Sequence, residues 1–219
     1  MSRMSKKSRL TRERIVEAAI AVADRGGISA VSMRNVGSEL GVEAMSLYHY
    51  VANKEGLLDT LSEHVFSQIV MPDEGTPWRE ALETRAFSAR SVLSAHPWAV
   101  GMIESRPIPG PALLEHHDRV IGCLMGAGFE PVVASQAFAV VDAFIYGFVL
   151  SETTMPFDMR EGAEMEYAAE IAPDAEKYPH LAANLAALQA TGNFAFSDGF
   201  RVGIDLILDS LEVKLGERG

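Results

Sequence analysis

Apolar residues recur at three- and four-residue spacing along most of the chain, which predicts helices throughout. Ile15, Ala18, Ala19 and Val22 form one stripe of a first helix, capped by Thr11 and ended by Gly26-Gly27. Ser32 caps a second, on which Val36 and Leu40 fall four apart. Gly41 sits where a tight turn needs a residue tolerant of positive φ. A short third helix then turns Leu47 and Val51 inward and leaves Ala44, Met45, Tyr48 and His49 facing away. Asn53 opens a fourth, to about Val70, with Leu57, Leu58, Leu61, Val65, Phe66 and Ile69 on its buried side. This helix touches both the head before it and the body after it.

Further along, Leu82, Ala86, Ala89 and Leu93 mark a fifth helix from Trp78 to Ala95, and His96-Pro97 breaks the chain before a short helix to Ile103. Arg106-Pro107-Ile108-Pro109-Gly110-Pro111 is a stiff turn. A seventh helix spans Ala112 to Met125. The eighth, Val132 to Ser151, is hydrophobic nearly all round and must be buried on more than one side. Met155 to Asp174 reads as acidic and mobile. A ninth helix covers His180 to Ala190, and a last one, Phe194 to Leu215, places Phe200, Ile204, Ile207, Leu208 and Leu211 together.

Two short helices joined around Gly41 describe a helix-turn-helix, whose second helix enters the DNA major groove, or an ordinary helical hairpin with an aromatic surface. Spacing alone leaves both open. The net charge of −11 argues against nucleic acid until its distribution is considered. Residues 1–14 carry six basic side chains against Glu13 alone, and the acidic excess lies beyond residue 70. Phosphate attraction acts over about 8 Å, so the distant charge does not forbid binding. Lys6, Lys7, Arg9 and Arg12 form a basic arm (residues 1–10 and the start of the first helix) that contacts phosphates or stays a solvated tail. One cysteine, Cys123, excludes an internal disulfide and reads as a core residue. The start lacks an apolar h-region and no unbroken apolar stretch approaches a membrane span, so a soluble cytoplasmic protein without membrane contact is expected.

The stretch Leu47-Tyr48-His49-Tyr50-Val51-Ala52-Asn53-Lys54-Glu55-Gly56-Leu57-Leu58-Asp59 resembles the signature that closes the DNA-binding domain of the tetracycline-repressor (TetR-like) family. The likeness covers about residues 11–60. It implies an all-α fold: a three-helix helix-turn-helix domain over 1–53 and a helical ligand-binding and dimerisation domain over 54–219. By the same resemblance, Met33 and Arg34 reach base edge and phosphate, and Ala44, Met45, Ser46, Tyr48 and His49 face the groove. Tyr50 and Lys54 lie on the phosphate side. The family pairs its eighth and last helices with a second subunit, and Gly147-Phe148-Val149-Leu150 and Gly203-Ile204-Asp205-Leu206-Ile207-Leu208 carry that likeness here. A homodimer through about 132–151 and 194–215 on a palindromic double-stranded operator is therefore expected, released by a small-molecule inducer. The alternative is a helical small-molecule-binding protein whose head no longer binds DNA.

For the inducer, Phe87, Trp98, Met102, Phe138 and Tyr146 are candidate walls, and Arg106 and Asp142 candidate polar groups. Asp142 lies inside the apolar eighth helix, where an unpaired carboxylate is costly; it pairs across the dimer, faces a ligand or reaches solvent. The family's tetracycline binder places a magnesium-ligating histidine where Met102 or Ile103 stands here, and a glutamine near Val120, so that cage is absent and an apolar inducer is expected. His116-His117-Asp118 reads as solvated surface, because adjacent helical histidines point about 100° apart and grip one ion poorly. No metal, no cofactor and no enzyme activity are expected: the chain has no His-Glu-x-x-His, Gly-x-Ser-x-Gly or phosphate-cradling loop.

Overall fold

A computed structural model describes residues 9–105, 110–156, 163–191 and 195–216. Among them the secondary structure is helical. The head comprises α1 (Arg12–Gly26), α2 (Met33–Leu40) and α3 (Ala44–Leu47), followed by α4 (Lys54–Phe66). The body holds α5 (Trp78–Ala95), α6 (Val100–Ser105), α7 (Pro111–Gly126), α8 (Pro131–Thr153), α9 (Ala163–Ile171), α10 (Pro179–Thr191) and α11 (Asp198–Gly216). The caps follow the sequence. Thr11, Ser32 and Asn53 each accept a hydrogen bond from the backbone N–H three residues on, at 3.3, 3.1 and 2.8 Å. Gly27 and Gly41 take φ of +72° and +65° where α1 and α2 stop.

Two apolar cores divide the molecule, and α4 belongs to both. Leu57, Leu58 and Leu61 complete the head core around Ile15, Ala19, Val36 and Leu47. Val65 and Phe66 enter the body core with Leu82, Leu93, Val141, Ile145, Phe200 and Ile204. α4 ends at Phe66 rather than near Val70, yet Ile69 remains buried beyond it. Glu63 on α4 accepts the backbone N–H of Ala112 at 2.8 Å, which fastens the first turn of α7 to it.

Two expectations need correction, and a third is refined. The segment read as mobile contains α9. α8 packs against several helices at once, as its apolar composition demands: Ala134, Val141, Ile145 and Val149 face inward, while Val132, Val140 and Leu150 are left exposed on its outer face. By length and composition α8 is also apolar enough to cross a membrane. Its inner face packs on α5, α7 and α11, so the apolar composition has a use within the fold.

Candidate nucleic-acid interface and ligand chamber

The turn between α2 and α3 is set by a close approach. A Cβ on Gly37 would lie 2.9 Å from the carbonyl oxygen of Val42 and 3.2 Å from the amide nitrogen of Ala44. With Leu47 and Val51 anchored in the head core, the opposite side of α3 and the turn after it faces outward. Met45 is 72 % exposed, and Tyr48, His49, Tyr50, Arg34 and Lys54 are exposed with it. Three expected contacts sit differently. Met33 is buried in the head core, because the first turn of α2 faces α1. Ala44 is half-buried against Gly37, as is Ser46 by its exposure. Of the arm, Lys6 and Lys7 lie outside the described residues; Arg12 donates to the Thr60 hydroxyl and the Arg14 guanidinium to the Arg9 carbonyl.

The expected ligand residues separate into distinct places. Met102 is buried in the head core. Trp98 packs against both cores and donates its indole N–H to Asp24 of α1 at 2.7 Å, where His96 Nδ1 also meets the same carboxylate oxygen at 2.8 Å. These side chains join head to body. Phe87 faces α11, edge-on to Phe200 and beneath the Arg201 guanidinium. Arg106 lies outside the described residues.

Phe138, Asp142 and Tyr146 do come together, around a residue that sequence reading passed over. Arg85 is 3 % exposed and reaches Asp142 Oδ1 through Nη2 at 2.6 Å. Its Nε donates to His116 Nε2 at 2.5 Å, and the Tyr146 hydroxyl donates to Asp142 Oδ2 at 2.9 Å. Asp142 is thus paired within its own subunit, across the α5–α8 contact. His116 is buried, not solvated: burial, and then the charges of Arg85 and His117, push its pKa down to about 4, so it is neutral and accepts. His117 is exposed, but its ring stacks on Phe138 at 4.1 Å, and Phe138 lies 5.2 Å from the Arg85 guanidinium carbon. Arg85 Nη1 is buried and finds no hydrogen-bond partner; Asp142 Oδ1 is buried likewise and is met only through the ion pair with Nη2. Its burial was signalled, since Arg85 shares the stripe of Leu82 and Ala89; likewise His116 precedes Val120 and Leu124 by four and eight.

A separate cleft of about 920 Å³ lies between the 72–78 loop and the second half of α7, beside Asp118 and Cys123. None of the expected ligand residues lines it, and burial pushes the Cys123 thiol pKa up, which makes it a poor nucleophile. No group of three or more His, Cys, Asp or Glu able to hold a metal occurs among the described residues.

Residues 15–61 match the family of bacterial regulatory proteins named tetR, and residues 71–215 match the tetracyclin repressor-like C-terminal domain. The chain is 33 % identical over 224 residues to the HTH-type transcriptional repressor DrrR1 of Streptomyces coeruleorubidus, covering 97 % of this chain and 81 % of that one. An HTH-type transcriptional regulator of Saccharopolyspora erythraea is 33 % identical over 179 residues, covering 81 % and 76 %. A possible TetR family transcriptional regulator from Streptomyces coelicolor superposes with a TM-score of 0.72 at 29 % identity, covering 93 % and 99 %. ActR from Streptomyces coelicolor, in complex with actinorhodin, shares the fold with a TM-score of 0.73 at 24 % identity, covering 95 % and 100 %.

Proposed function

This chain belongs to the tetR family of bacterial regulatory proteins, and from that premise we propose that it is a cytoplasmic, ligand-responsive repressor of transcription. It binds a palindromic operator as a homodimer and leaves it when a small molecule occupies the body. The observation that carries this reading is the outward face of the head. Arg34, Met45, Tyr48, His49, Tyr50 and Lys54 are exposed together, over a core that fixes them through Leu47 and Val51. We assign groove contact to Arg34, Ala44, Met45, Ser46, Tyr48 and His49, and phosphate contact to Tyr50 and Lys54; Met33 supports them from beneath.

Dimerisation is supported by apolar side chains that the single chain leaves uncovered. Val202, Leu206 and Val213 share one face of α11 and are 58, 66 and 62 % exposed, and Val132, Val140 and Leu150 are exposed on α8. Covering such a surface is favourable by about 25 cal/mol per Å² of apolar area. A two-fold pair would present two heads to two half-sites about one helical turn apart. Head and body are the functional units, with residues 1–53 as the DNA-binding unit and 54–219 as the ligand and dimer unit, α4 being shared by their cores. A ligand preferring another arrangement of the body shifts the heads through the Glu63 contact to α7 and the Asp24 contact to His96 and Trp98.

The test is a gel shift at fixed salt with the promoter region upstream of its own gene. Retarded wild-type complex and its loss in Arg34→Ala are expected. No preference of the wild type for that fragment over random DNA would falsify the repressor reading and leave a ligand-binding protein with a silent head.

A further inference from the structure

We infer that the body takes an uncharged, planar aromatic ligand carrying an oxygen acceptor, and that Arg85 Nη1 is the donor that receives that oxygen. This rests on the ligand-responsive reading above and specifies the chemistry of the ligand. A guanidinium offers five N–H donors in a fixed fork. Here Nη2 is held by Asp142 and Nε by His116, so the plane of the fork is fixed from two sides. Nη1 is as deeply buried and has no partner. A buried donor left unsatisfied is costly, and an incoming acceptor relieves that cost without reorganising the group that receives it.

The charge of the cluster selects the kind of acceptor. Arg85 and Asp142 cancel, and His116 is neutral near pH 7. A carboxylate would therefore add an uncompensated negative charge in a buried place, whereas a ketone, quinone or amide oxygen would not. The shape follows from the walls: Phe138 lies against the guanidinium and already carries the flat ring of His117 on it. Phe138 is half-buried and His117 exposed, so stacked aromatic faces lie between the guanidinium and the surface. Phe138 stands on α8, which packs against both α5 and α7, so the cluster sits where three helices meet.

Three ring-matched probes test this on the full chain by isothermal titration calorimetry: 9-fluorenone, fluorene, and fluorene-9-carboxylate. The ketone should bind at least about tenfold tighter than the hydrocarbon, because a site built around a donor discriminates against a ligand that leaves it unpaired. The carboxylate should bind more weakly than the ketone. In the double variant Arg85→Met with Asp142→Leu, which removes the ion pair as a unit, the ketone's advantage should shrink to about twofold or less while fluorene binding stays. Should that variant fail to fold by circular dichroism, Arg85→Lys, which keeps a charge opposite Asp142 but withdraws the fork, must lose the same preference. Equal affinity for ketone and hydrocarbon, absence of binding by both, a tighter carboxylate, or an advantage that survives the substitutions overturns the assignment. A parallel gel shift separates this from the broader reading: release of operator by fluorene without a ketone preference removes Arg85 alone, whereas a wild type that never binds operator strikes the repressor itself.

Discussion

Arg34 and His116 illustrate how differently exposure uses a charged or titratable side chain. Arg34 is exposed on α2 beside the turn, and a bidentate guanine contact from such a residue is worth about 1–3 kcal/mol. Arg34→Ala should therefore weaken operator binding by about 5- to 150-fold at matched salt, with an unchanged melting temperature. His116 carries its information in stability. Its folded pKa is near 4 against 6.5 for the free side chain, so between those values the unfolded chain binds a proton that the folded chain refuses. Stability is whole above about pH 6.5, falls as the pH is lowered, and levels off below about pH 4, a loss of about 3 kcal/mol from this group. Urea titrations of wild type and His116→Gln across that range should show the variant lacking this part of the slope. Parallel slopes in the two proteins would remove His116 as the cause.

At the scale of elements, the joint between α2 and α3 depends on the missing side chain of Gly37. Gly37→Val would drive a branched group into the Val42 carbonyl and the Ala44 backbone, which cannot yield as a flexible side chain would. A cost of about 1–3 kcal/mol is expected, with weaker operator binding, read from a chemical melt and a gel shift on the same preparation. Between head and body, the couplings are the Glu63 contact at the start of α7 and the Asp24 carboxylate shared by His96 and Trp98. Glu63→Gln keeps the shape but weakens a charge-assisted bond. It should leave operator affinity within about threefold of wild type and raise the ligand concentration needed for release. An unchanged release curve would show that α4 is not the connection. The helices themselves were legible, as α5 shows: its bounds and its stripe of Leu82, Ala86, Ala89 and Leu93 were all readable from spacing. α9 was not, since an acidic stretch with few large apolar residues gives no strong stripe.

For the whole molecule, the exposed faces of α8 and α11 bear on assembly. Leu206→Lys places a charge in the middle of the α11 face, where Val202 and Val213 lie to either side. Sedimentation velocity should show the variant shifted toward the single chain, with operator affinity lowered more than about tenfold because one head reads only half a palindrome. A dimer of unchanged stability would place the interface elsewhere. By itself the sequence determined the caps, the turn glycine, the apolar stripes and the family likeness of the 47–59 stretch, because each depends on neighbours a few residues away. It also marked Asp142 as a carboxylate in need of a partner. Which partner was a matter for the tertiary structure alone. Arg85 and His116 lie 31 residues apart on different helices, and only the packing of α5 against α7 and α8 brings them to one buried cluster with Asp142. Met102 and Trp98, on the segment between α5 and α7, are carried instead into the head core and onto Asp24, away from the Arg85 cluster. Periodicity says that a side chain is buried; the angle and register at which helices cross decide what it is buried against.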